Sequence, residues 1–131
     1  MNKKGFTLIE LLAVIIILAI VALIATPIVL DVVDDARTSA ARSEAAMIVS
    51  GVNNHCAAAA MKAQLTGVAA DDVCANKTSL TAAEVATMVD LGNATVTSCT
   101  VSNGVVTKLV IVSNTKDVTY DVTASDKYVV E

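Results

Sequence analysis

Lys3-Lys4-Gly5-Phe6-Thr7-Leu8-Ile9-Glu10, followed by an uncharged run over residues 11–30, is the stretch on which the reading of this chain turns. Residues 11–30 carry no ionisable side chain, and about 20 consecutive apolar residues is the length a helix needs to cross a bilayer core. Lys3 and Lys4 precede the run and Asp31, Asp34 and Asp35 follow it. Basic residues stay on the cytoplasmic side, so the N-terminus is expected in the cytoplasm and the rest of the chain outside. A secretory signal also opens with lysines and an apolar stretch, but it ends in a small-x-small cleavage site. The best such site here, after Ala25, puts Leu23 where a small residue is required.

Glu10 is the residue that discriminates between readings. A carboxylate in a membrane helix costs about 2.5–3.5 kcal/mol near the centre and normally has a partner or a path to water. At the helix end it reaches the headgroups at lower cost, and a permanent single-pass anchor leaves it without a role. No Lys or Arg in the apolar helix supplies a cation. A chain cut between Gly5 and Phe6 does supply one, because the new α-amino group lies one helical turn from Glu10. That amine can pair within its own subunit or with a neighbouring copy shifted along its axis.

The run Lys4-Gly5-Phe6-Thr7-Leu8-Ile9-Glu10 resembles the class III signal of type IV pilins and pseudopilins, and Pro27 falls where that family commonly carries a proline. The resemblance covers roughly the first thirty residues, and beyond them only the layout matches. It implies that residues 1–5 are a leader removed after Gly5 by a prepilin peptidase, that Phe6 is N-methylated, and that Glu10 acts in subunit addition. Residues 6–30 are then the membrane and filament-core helix, and residues 31–131 an extracytoplasmic head that includes the outer half of that helix. The implied partners are other pilin subunits in a homopolymer, the peptidase and assembly machinery, and the inner membrane before assembly. The implied location is the cytoplasmic membrane for the precursor and an extracellular pilus for the product. A pseudopilin of a secretion or DNA-uptake system is the alternative within the family. A membrane-anchored binding or enzymatic domain is the alternative from another class.

Composition narrows the field. One membrane segment in 131 residues leaves room for one small domain with a modest core. The formal charge is −4, and loss of the two leader lysines takes it to −6, which speaks against a direct nucleic-acid grip. Phe6, Tyr120 and Tyr128 are the only aromatic residues, too few for a base-stacking or sugar-binding face.

Helical patterning continues past Pro27, which is expected to bend the helix or open a local break. Ala41, Ala45, Ile48, Val52, Cys56, Ala59 and Ala63 recur at three- and four-residue intervals and mark one helix face turned to the exported domain. A helix from Thr7 to about Leu65 is roughly 90 Å long. Its inner half is apolar all round and hides only in lipid or against copies of itself; Ala13, Ala19, Ala22 and Ala25 permit close approach there. Gly67 is the expected stop, and residues 68–78, with Asp71, Asp72, Cys74 and Asn76, read as a surface connection. Thr81-Ala82-Ala83-Glu84 fits a capping box, with Leu80 and Val85 as its hydrophobic staple, opening a short helix to about Leu91 with Gly92 as its cap. Residues 95–101 and 105–112 flank Asn103-Gly104, a strong hairpin signal. Residues 117–123 alternate, with Val118, Tyr120 and Val122 on one face, and residues 127–130 make a short fourth edge strand. The expected fold is α+β: a long N-terminal helix packed by its second half on an antiparallel sheet of three to four strands.

No constellation points to catalysis, a metal or a cofactor. Cys56, Cys74 and Cys99 lie in the exported part, where one disulfide can form and one thiol is left over. Cys56 with Cys74 is the favoured pair, Cys74 with Cys99 the next, and fully reduced thiols the third option. His55 and Cys56 point about 100° apart on a helix and do not make a nucleophile–base pair. Related pseudopilins bind calcium through C-terminal loops, but Asp117, Asp121 and Asp126 lack a loop motif and read as solvated carboxylates. Asn76-Lys77-Thr78 and Asn93-Ala94-Thr95 match the N-glycosylation triplet and read as unmodified surface.

Overall fold

A computed structural model describes residues 5–67, 74 and 78–131 of the chain. Lys3 and Lys4 of the expected leader, and the expected surface connection at Asp71, Asp72, Asn76 and Lys77, lie outside the described residues. The chain divides into two compact units, Met1–Ala36 and Arg37–Glu131.

Helix α1 spans Leu8–Thr66, 59 residues, and carries Pro27 inside it. The segment stays helical on both sides of the proline, so the open break that was one of two expectations there is not present. Gly67 ends the helix with φ +66° and donates its N–H to the carbonyl of Ala63 at 3.0 Å. That is the left-handed cap glycine favours because it has no Cβ to clash.

Within the second unit, α1 buries Ala41, Ala45, Ile48, Val49, Val52 and Cys56. These are the first five stripe residues with Val49 added, and Ala59 and Ala63 are half-buried. The stripe packs with the sheet's apolar face in one core.

The sheet is a five-stranded antiparallel meander in the order β1-β2-β3-β4-β5. Its strands are β1 Ser79–Leu80, β2 Thr95–Ser102, β3 Val105–Ser113, β4 Lys116–Asp121 and β5 Tyr128–Val130. The count exceeds the expected three to four because two residues, Ser79 and Leu80, pair with Thr100 and Cys99 at the β2 edge. A two-residue strand has no periodicity to detect.

Buried Val96, Cys99 and Val101 on β2, and Val106, Leu109 and Ile111 on β3, do not keep a strict period of two. The register explains this. Val96 pairs with Ile111 and Ser98 with Val110, leaving Thr97 extra on β2; Thr100 pairs with Lys108 and Val101 with Val106, leaving Thr107 extra on β3. Each bulge shifts the alternation by one and returns the apolar side chains to the core.

Both tight hairpins use left-handed turn residues. Asn103 and Gly104 have φ +52° and +76° between the paired Ser102 and Val105, the type I′ arrangement that follows strand twist. Asn114 and Thr115 have φ +51° and +69° between the paired Ser113 and Lys116.

Helix α2 spans Ala82–Met88, ending three residues before the expected Leu91. Its capping box is complete: Thr81 N–H and Oγ1–H donate to Glu84 Oε2 at 2.9 and 2.8 Å, and Glu84 N–H donates to Thr81 Oγ1 at 3.4 Å. Leu80 and Val85 are both buried in the core. The early stop has a packing cause. Val89 turns extended, with φ −148° and ψ 147°, and lies against Gly51 of α1, where an added Cβ would meet Val89 Cγ2 at 2.6 Å and Cβ at 2.8 Å. Gly92, expected as the cap, instead sits in the following turn at φ +55° and donates to Asp90 Oδ1 at 3.0 Å. On β4, Val118 and Tyr120 are buried as expected but Val122 is exposed, because the strand ends at Asp121. The Asp121 carboxylate there accepts from Thr123 N–H at 2.9 Å and Thr123 Oγ1–H at 2.7 Å and turns the chain away.

Three α1 side chains hydrogen-bond to the sheet. Arg42 Nη2 donates to the carbonyl of Tyr128 at 2.9 Å. Glu44 accepts from the hydroxyl of buried Ser113. Asn53 Oδ1 accepts from Val106 N–H at 2.8 Å, beside the Thr107 bulge.

Candidate functional site

The start of α1 is built by a second capping box. Thr7 precedes the first helical residue, Leu8, and its N–H and Oγ1–H both donate to Glu10 Oε2 at 2.8 Å, while Glu10 N–H donates to Thr7 Oγ1 at 3.3 Å. The pattern Thr-x-x-Glu is the one that opens α2; at Thr7 the same local signal is present but is overlaid by the apolar run that starts at Leu8. A cation is therefore not needed to account for the placement of Glu10: the carboxylate closes the helix's own first turn, satisfying donors that would otherwise lack partners. Both bonds fall on Oε2, and a carboxylate has a second oxygen with which to accept. Breaking the Gly5–Phe6 bond removes neither donor, since both belong to Thr7.

Phe6 is exposed, and a Cβ added at Gly5 meets nothing within 4 Å. From Phe6 to Val33 the large apolar side chains are all exposed. In length and hydropathy α1 suits a membrane span. A helix segment that is apolar all round belongs in lipid or against other helices.

Elsewhere the expected site residues are occupied by structure. Cys56 and Cys74 form the disulfide, with Cα atoms 5.4 Å apart and a sequence separation of 18; the alternative Cys74–Cys99 bridge is not formed. Cys99 is a free, fully buried thiol, and burial pushes its pKa up to about 11. Cys56, being bridged, offers no thiol beside His55. Asp126 faces Arg42 at 3.6 Å and accepts from Tyr128 N–H at 3.4 Å, while Asp121 is held by Thr123, whose two donated bonds keep its carboxyl below the usual carboxylate range. Asn93 lies exposed in the turn before β2, and Asn76 lies outside the described residues.

Comparison with protein families bears on the first of these regions. Residues 1–26 carry the prokaryotic N-terminal methylation motif. The motif is the class III prepilin signal of type IV pilins and pseudopilins, and it takes in Gly5, Phe6, the Thr7–Glu10 box and the apolar helix as far as Thr26. Residues 27–131 lie outside it. Neither the curated proteins nor the solved structures include a match to the chain.

Proposed function

We propose that the chain is a structural subunit of a type IV pilus, cut between Gly5 and Phe6, methylated at Phe6, and assembled through its N-terminal helix. The observation that carries the reading is the methylation motif over residues 1–26. Two features support it. The exposed apolar half of α1 calls for a lipid or helical environment, and Gly5 meets no packing constraint, so a need for glycine at that position arises from the enzyme that handles the bond.

The mechanism is assembly, not turnover. In the membrane, Glu10 caps its own helix through Thr7. When a neighbouring copy arrives, its Phe6 amine approaches the carboxylate, and in a lipid-like surrounding an opposite charge there is worth far more than in water. The apolar half then passes from lipid to the bundle. Pro27 marks a place lacking one backbone hydrogen bond, where the helix loosens on that transfer.

Electron microscopy of sheared cells, comparing the wild-type chain with Glu10→Gln, tests the reading. Long surface filaments that are lost with Glu10→Gln, while the processed subunit stays in the membrane, are the expected result. Filaments unchanged by the substitution would overturn the role of Glu10, and short fibres confined to the envelope would move the chain to the pseudopilin reading.

A further inference from the structure

Strand β5 is an edge of the sheet, and an edge strand presents unpaired backbone groups that invite another strand. Which groups point outward follows from its bonds to β4. Asp117 and Glu131 exchange N–H to carbonyl bonds at 3.0 and 2.9 Å, and Asp121 N–H donates to the Lys127 carbonyl at 3.0 Å. Residues 127, 129 and 131 therefore turn their backbone groups toward β4, and Tyr128 and Val130 turn theirs to the open side. Both outward groups of Tyr128 are capped: the carbonyl accepts from Arg42 Nη2 at 2.9 Å, and the N–H donates to Asp126 Oδ1 at 3.4 Å. Arg42 and Asp126 also face each other at 3.6 Å. Val130 alone is left with outward groups, and one residue does not make a ladder.

We propose that Arg42, with Asp126, is a guard on the β5 edge that keeps two copies of this chain from joining sheet to sheet. The occupant it excludes is defined by the register. Two β5 strands meeting antiparallel through their outward groups pair Tyr128 of one copy with Val130 of the other, which places the two Val129 residues opposite each other at a non-hydrogen-bonded position, where Cα atoms stand about 4.5 Å apart. Val129 is exposed. The inference rests on the sheet alone and not on the filament reading, which adds only that heads held on a fibre meet at high local concentration.

The test uses the full chain in detergent micelles with Val129→Cys as reporter, since Cys99 is buried and Cys56 and Cys74 are bridged. Under mild oxidation, Val129→Cys alone should give little disulfide dimer. Adding Arg42→Ala should raise the dimer fraction about five-fold or more, the effect of freeing one backbone acceptor for pairing, and Asp126→Ala should raise it less. An equal dimer fraction with and without Arg42→Ala overturns the proposal. So does loss of amide-exchange protection at Asp117 and Glu131 in the Arg42→Ala chain, which would make Arg42 a tie holding β5 in place and not a guard on its edge.

Discussion

Replacing Gly51 by alanine sets two effects of known sign against each other at one contact. In a helix interior, glycine to alanine gains about 1 kcal/mol of helix propensity. Here the new Cβ lands 2.6 Å from Val89 Cγ2 and 2.8 Å from Val89 Cβ, and the second atom sits at the root of the side chain and cannot swing away. Overpacking of this kind costs about 1–3 kcal/mol, so Gly51→Ala in the wild-type chain should be neutral to destabilising by about 2 kcal/mol. In a Val89→Gly background both the Cβ and the γ carbons are gone, and the same substitution should move toward the stabilising propensity gain. The double-mutant cycle therefore predicts a coupling of about 1–3 kcal/mol. Tyr120 and Tyr128 are the only tyrosines, both lie in the second unit, and there is no tryptophan. Guanidinium unfolding followed by near-ultraviolet dichroism of the detergent-solubilised chain thus reports this unit specifically. Additivity within about 0.5 kcal/mol would refute the packing argument, and with it the reason given for α2 ending at Met88.

Further outcomes follow from other contacts. Thr115→Gly should stabilise the second unit by about 1 kcal/mol, because a β-branched residue at φ +69° carries a left-handed penalty that glycine does not; an unchanged midpoint in the same denaturation would count against it. Converting Cys56 and Cys74 to serine should cost about 3 kcal/mol by releasing a loop of this length in the unfolded chain, seen as a drop in the guanidinium midpoint. The Cys99 pKa is raised on folding to about 11, so the stability linked to its neutral thiol is fully present below the unfolded value of about 8.5 and is lost as pH rises toward the folded value. Cys99→Ala should flatten the pH dependence across that window.

Much of this was legible from residue order, and the parts that were not share a cause. The α1 stripe, the Asn103-Gly104 hairpin, the Thr81–Glu84 box and the Cys56–Cys74 bridge each carry a local signal: a period, a turn dipeptide, a four-residue motif, a loop-sized spacing. The end of α2 at Met88 escaped because it is set by Gly51, more than thirty residues away in sequence. Strand β1 is two residues whose only evidence is its partner, β2. The turn at Asn114-Thr115 lacks the glycine that marks such turns, and the pairing of Ser113 with Lys116 imposes it. Arg42, Glu44 and Asn53 look like ordinary polar helix residues until the sheet places Tyr128, Ser113 and Val106 beside them. The Thr7–Glu10 box is the instructive case, since its signal was as local as that of Thr81–Glu84. Its Thr sits three residues before its Glu, as in the α2 box, but the residues that follow are apolar all round and mask the start of the helix.

The central claim is that this chain leaves the membrane as a trimmed and methylated subunit. Intact-mass and N-terminal fragment analysis of the protein recovered from sheared cell-surface material measures it directly. The account predicts a chain that starts at N-methylated Phe6 and retains the Cys56–Cys74 bridge. A surface protein that still carries residues 1–5, or that begins beyond Ala25, would contradict it.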